Sequence, residues 1–156
     1  MKSKDYLKVE CDRREFLFAA GALALAGSGF WPASAVATTE EAKAAIKEIA
    51  AGAPLKQGRV KLQIPSVADN GARVPVTVSV DGPVTAADHA VIIHIISDGN
   101  PFPETVSFTL GPDVGKAEIS FYMRMAKTQK VYAVAQMSDG SFQIDSTQVS
   151  VTIGGC

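Results

Sequence analysis

The chain has 156 residues, with 15 Lys and Arg against 16 Asp and Glu and a formal net charge of −1. Near-neutrality argues against a nucleic-acid-binding surface, which needs clustered bases; an apolar fraction of 47% fits a packed core and not a disordered chain. Two histidines and two cysteines restrict the chemistry available, and none of them stand at metal-ligand spacing.

The N-terminal stretch reads as an address. A polar start leads to Arg13-Arg14-Glu15-Phe16-Leu17, then to an apolar, Ala- and Gly-rich run from Phe16 to Trp31. That run falls short of the ~20 residues a spanning helix needs. Small residues at Ala33-Ser34-Ala35 and Ala35-Val36-Ala37 offer two cleavage sites. The expected cut follows Ala37, with Ala35 the second choice, so residues 1–37 are expected to be a signal peptide.

The pair Arg13-Arg14 followed by x-Phe-Leu resembles the twin-arginine export signal, and Gly21, Gly27 and Gly29 dilute the apolar run as such signals require. The competing reading is an ordinary secretory signal with a chance arginine pair. Cys11 precedes the apolar run, whereas a lipidated cysteine follows one, so Cys11 is expected to leave with the signal. The twin-arginine route carries folded cargo, so a cofactor or a co-exported partner is implied. With no cofactor motif downstream, the partner is the expectation. The compartment is then the oxidising bacterial periplasm, with no membrane attachment after cleavage.

Residues 38–156 carry ten bases and twelve acids. Thr38 or Thr39 caps a short helix with Glu40 and Glu41 in its first turn. Ala42, Ala45, Ile46 and Ile49 fall on one face, which is the expected docking face, and Gly52 with Pro54 stops the helix. Strands are then predicted over Arg59–Ile64, Val74–Val80, Ala90–Ile96, Thr105–Leu110, Lys116–Met125, Lys130–Met137 and Ser141–Ile153. Val74, Val76, Val78 and Val80 keep a strict period of two. Ala90–Ile96 is apolar on both faces and reads as a central strand. Pro65 to Asn70-Gly71 reads as a loop, Asp81-Gly82-Pro83 and Asp98-Gly99-Asn100-Pro101 as turns, and Asp139-Gly140 as a hairpin turn. The fold class that follows is all-β: an immunoglobulin-like β-sandwich with a short N-terminal helix.

Catalytic signatures are weak. Gly111-Pro112-Asp113-Val114-Gly115-Lys116 imitates a phosphate loop but joins two strands, where a phosphate loop opens a helix, and Ala117 replaces the magnesium-binding hydroxyl. A β-turn is expected there. His89 and His94 lie on opposite faces of one strand, and His94, among four isoleucines, reads as a hydrogen-bonded core residue. Tyr122, Met123 and Met125 read as core and interface. No catalytic residue, metal site or cofactor is expected.

The terminus differs. Val149, Val151 and Ile153 give way to Gly154-Gly155-Cys156, which places the single cysteine left after signal removal on a short glycine arm. Three residues reach at most roughly 10 Å. A thiol suits transient covalent loading, because its thiolate attacks and leaves readily. An odd cysteine in an exported protein also fits a structural intermolecular disulfide on an interaction module, or no role at all. A cysteine-dependent enzyme ranks last, since catalysis needs a fixed nucleophile and a positioned base.

Several separated motifs, in order, resemble the SoxY family. They are Asn70-Gly71 leading to Val74-Pro75-Val76-Thr77-Val78; Asp88-His89 leading to Ile93-His94-Ile95; and Asn100-Pro101 with Pro103. They continue through Leu110-Gly111-Pro112, Gly115-Lys116-Ala117-Glu118, Arg124, Ala126, Gln129-Lys130-Val131, Ala133-Val134-Ala135 and Ser138-Asp139-Gly140-Ser141-Phe142, and close with Val151 to Cys156. The resemblance covers nearly all of residues 40–156. It implies an immunoglobulin-like sandwich over residues 38–153 and a carrier arm over residues 154–156. It implies a periplasmic, non-enzymatic carrier of sulfur oxidation, with thiosulfate-derived intermediates held on Cys156 and Gly154 and Gly155 forming the arm. The implied partners are a SoxZ-like small β-sandwich in a heterodimer, a haem-containing sulfur transferase, a sulfate-releasing hydrolase and a sulfane dehydrogenase. The family arm usually continues with two more glycines. Here an α-carboxylate beside Cys156 is expected to raise the thiol pKa.

Overall fold

The computed structural model describes residues 37–154. The export motif with Arg13 and Arg14, Cys11, and the arm residues Gly155 and Cys156 lie outside the described residues.

Helix α1 spans Thr39–Ile49. Its start is a capping box: the Thr38 hydroxyl accepts from the Glu41 N–H, and the Glu41 carboxylate accepts from the Thr38 N–H at 2.7 Å. Each bond satisfies a backbone donor that the first turn leaves without an intrahelical partner. Glu40 and Glu41 complement the positive helix end. The chain leaves α1 through Ala51 at φ 47 and Gly52 at φ 77.

Nine strands follow: β1 Leu55–Lys56, β2 Val60–Gln63, β3 Val67–Asn70, β4 Val74–Val80, β5 Ala90–Ser97, β6 Glu104–Thr109, β7 Glu118–Met123, β8 Gln129–Met137 and β9 Phe142–Ile153. One sheet runs β1-β9-β8-β5-β6, with β3 also paired to β9; the other runs β2-β4-β7. The fold is therefore the expected all-β, immunoglobulin-like sandwich, with one short helix among the described residues. Among the described residues no helix is long and apolar enough to cross a membrane.

Period-two alternation builds the core. Val74, Val76, Val78 and Val80 face inward from the small sheet and meet Ile93, Ile95, Val131, Ala133, Ala135 and Val149 of the large one. Each large aliphatic side chain removed from water contributes about 1.5–3 kcal/mol. The opposite face of the large sheet carries a second cluster, where Ala42, Ile46 and Ala50 of α1 pack on Ile96, Tyr132, Val134 and Phe142. That cluster is why β5 is apolar on both faces: Ile93 and Ile95 look into the sandwich, and Ile96 looks at the helix.

Two strands differ from the sequence expectation. Residues 67–70 pair in parallel with β9, where a loop is expected, and Leu55-Lys56 pairs in parallel with Phe142-Gln143. Only Ala68 is buried within β3 and nothing within β1, so neither strand carries a periodic apolar signal. The Asp139-Gly140 hairpin forms as expected. Gly140 sits at φ 79, a region open to glycine, and the Ser141 N–H donates to the Asp139 carboxylate at 2.8 Å.

Candidate functional site at the end of the last strand

β9 runs twelve residues, far beyond the hairpin that starts it. Phe142 to Val149 pair with β8, and Ser150 to Ile153 are flanked by β3. The Gly71 N–H donates to the Ile153 carbonyl at 2.7 Å, and the Met125 N–H donates to the Gly71 carbonyl at 2.8 Å. The Val151 N–H donates to the Thr128 hydroxyl at 2.9 Å. The strand is therefore held to its last residue, and the point where the chain leaves the sandwich is fixed.

Gly154 is held as well. A Cβ at this position would overlap the Ala126 carbonyl oxygen and lie 3.2 Å from its carbonyl carbon. Glycine is needed here for close approach, which differs from the conformational freedom the sequence suggests. Gly155 and Cys156 follow this contact in the sequence.

Beneath this exit lies a buried polar hub. Asn100, 9% exposed, donates through Nδ2 to the Arg124 carbonyl at 2.9 Å, and its Oδ1 accepts from the Ala126 N–H at 3.3 Å and from Gln129 Nε2 at 3.3 Å. Its backbone carbonyl accepts from the Ala37 N–H at 2.8 Å. Asn100 thus fixes the segment 124–129, which in turn supports Gly154. Gln129 Oε1 is buried and finds no donor among the described residues. Sequence reasoning reads Asn100-Pro101 only as a turn, because the hub exists only once four separate segments converge.

Ile153, at 65% exposure, stands at the exit. Tyr122, at 59%, lies on the edge strand β7 with the Arg73 guanidinium 4.0 Å from its ring centre, a cation–π contact. Met123 and Met125 are buried in the core as expected.

The remaining candidate residues do not converge. His94 is hydrogen-bonded as expected, Nδ1 lying 2.8 Å from Glu104, but it sits on the outer face of β5 and not between the sheets. His89 Nδ1 lies 2.9 Å from the Thr85 carbonyl at the far end of the strand. Gly111 to Lys116 forms a turn between β6 and β7. Among the described residues no three His, Cys, Asp or Glu side chains gather as a metal site would require.

What the fold and this site define is an immunoglobulin-like β-sandwich whose last strand is held through Ile153 and Gly154. The family profile described as "Sulfur oxidation protein SoxY" matches residues 46–156. The solved structure of the sulfur carrier protein SoxY from Chlorobium limicola f thiosulfatophilum is similar at 32% identity, covering 74% of this chain and 100% of that one, with a TM-score of 0.61. A superoxide reductase (neelaredoxin) from Ignicoccus hospitalis matches at 18% identity over 73% of this chain and 92% of its own, with a TM-score of 0.54. At that identity the likeness shows the fold alone. No curated protein matches the sequence. The chain belongs to the SoxY family, the sulfur carriers of sulfur oxidation.

Proposed function

We propose that this chain carries thiosulfate-derived sulfur covalently on Cys156 in the periplasm while partner enzymes act on it. The observation that carries the reading is the fixed exit at Ile153-Gly154, followed directly by Gly155-Cys156 in a chain that the SoxY profile matches to its last residue. The chemistry follows from the thiol. Thiosulfate joins the Cys156 thiolate through a new S–S bond, and the electron pair released passes to a haem partner. Hydrolysis by a second partner then cleaves the bond between sulfone and sulfane sulfur, releasing sulfate and protons and leaving a persulfide on Cys156. A sulfane dehydrogenase oxidises what remains. The chain itself is not an enzyme in this scheme.

Two residues past Gly154 reach no more than about 7 Å. Each partner must therefore bring its active site to this end of the sandwich, where Ile153 and the Arg73–Tyr122 pair are exposed. Association with a SoxZ-like sandwich in a heterodimer and export by Arg13-Arg14 complete the proposal. Ala37 is 2% exposed and bonded to Asn100, so its packing favours cleavage after Ala35, which leaves Ala37 with the domain.

The test is reconstitution with the partner enzymes. Cys156→Ser protein should fold normally and support no thiosulfate-dependent electron release. Full activity of that variant would overturn the proposal, as would a constitutive covalent dimer through Cys156 on non-reducing gels.

A further inference from the structure

The outer face of the large sheet carries a groove of about 440 Å³ beside α1. Ile46, Ala53, Leu55 and Ile144 give it an apolar lining, and Tyr132 stands among them. Leu55 is 37% exposed, one of the few large aliphatic side chains the described residues leave in water. The charged lining is all of one sign: Lys43, Lys47 and Lys130. Glu40 pairs with Lys43 at 3.0 Å; Lys130 Nζ lies 5.3 Å from the Tyr132 ring centre, and neither Lys47 nor Lys130 forms an ion pair among the described residues. Asp98, the acid that follows β5, accepts from the Thr39 hydroxyl at 3.1 Å and the Lys130 N–H at 2.7 Å, and forms no ion pair with a groove lysine among the described residues.

An apolar trough bordered by three ammonium groups, two of them without a carboxylate partner among the described residues, selects an occupant with an apolar body flanked by negative charge. The groove is open to solvent. A small molecule would stay largely wet there, whereas small-ligand sites bury about 70–90% of what they bind. A protein segment brings its own cover. Among the described residues β1 pairs with β9 alone, which leaves a strand edge beside Leu55 for such a segment.

We propose that this groove docks a segment of a partner protein that places one aliphatic or aromatic side chain against Ile46, Leu55 and Ile144, with carboxylates on either side meeting Lys47 and Lys130. The apolar anchor supplies most of the affinity, and the rim charges supply orientation and encounter rate. The docking rests on the carrier reading for its purpose, since it holds a partner while Cys156 is loaded. Its chemistry is independent of the thiol.

The experiment uses full-length Cys156→Ser protein, which cannot hold sulfur, titrated with a synthetic Glu-Glu-Leu-Glu-Glu peptide and followed by methyl NMR. Saturable shifts are expected at the methyls of Ile46 and Ile144, weakening as salt rises. Lys47→Glu with Lys130→Glu, or a peptide with serine in place of leucine, should bind at least about tenfold more weakly. If the reversal variant fails to fold, Lys47→Gln with Lys130→Gln and Leu55→Ser serve instead. Shifts scattered elsewhere, or no saturation at millimolar peptide, would overturn the proposal. So would lysine-dependent binding to phosphatidylglycerol vesicles with no response to the peptide, which would mark a lipid-facing surface. None of these outcomes bears on sulfur loading of Cys156, which is read separately by mass.

Discussion

The Gly154 backbone lies so close to the Ala126 carbonyl that no side chain fits between them. The contact is with backbone, which cannot rotate away as a side-chain tip could. Gly154→Ala should therefore displace the end of β9 or strain it, at a cost of about 1–3 kcal/mol, typical of overpacking. Thermal unfolding followed by circular dichroism should show a Tm lower by several degrees. An unchanged Tm would mean that the exit is not held at this contact.

Asn100 joins Arg124, Ala126 and Gln129 below that contact. Asn100→Ala leaves the part-buried Arg124 carbonyl and Ala126 N–H and the buried Gln129 amide without this partner, and a buried group so left costs about 1–3 kcal/mol. Urea unfolding should place the loss at or above about 2 kcal/mol. Asn100→Asp turns the donor facing the Arg124 carbonyl into a carboxylate oxygen at a nearly buried site, so it should also destabilise, and the loss should shrink as the carboxylate is protonated at low pH.

Ala51 closes α1 with φ at 47, a left-handed conformation that a Cβ disfavours. Glycine adopts it freely. Ala51→Gly should raise stability by up to about 1 kcal/mol. Since Ala51 is exposed, no packing is lost to offset the gain. Destabilisation in chemical denaturation would contradict this account of the helix end.

Hydrogen bonds from Ser141 hold the Asp139 carboxyl below its ordinary value of 3.8. A depressed folded-state pKa favours the native state above the unfolded pKa, and that contribution is lost as pH falls through the folded value. The β8–β9 hairpin should therefore weaken only under acid conditions, below about pH 4. Asp139→Asn should remove this part of the pH dependence, and hydrogen exchange at Met137 and Gly140 reports it directly.

Much of the fold is legible in the sequence. The four valines of β4 alternate with polar or small residues, and the structure buries all four. Thr38 and Glu41 announce the helix start, and the capping box forms. β1 and β3 leave no trace because their order comes from backbone bonds to β9, about eighty residues away in sequence, and not from side-chain burial. The thiol and its glycines are visible in the sequence. The distinct role of Gly154 is not, since freedom and close approach both select glycine, and only Ala126 decides between them. The groove is equally silent, because its lysines come from α1 and β8 and read separately as solvated surface charges.

The carrier account rests on sulfur bound at Cys156. Intact-mass analysis of the protein, purified without reductant from cells oxidising thiosulfate, tests it most directly. The account predicts masses raised by thiosulfate- or sulfane-derived groups, localised to the C-terminal peptide, removed by reductant and missing from Cys156→Ser protein. A free, unmodified thiol in every preparation would contradict it.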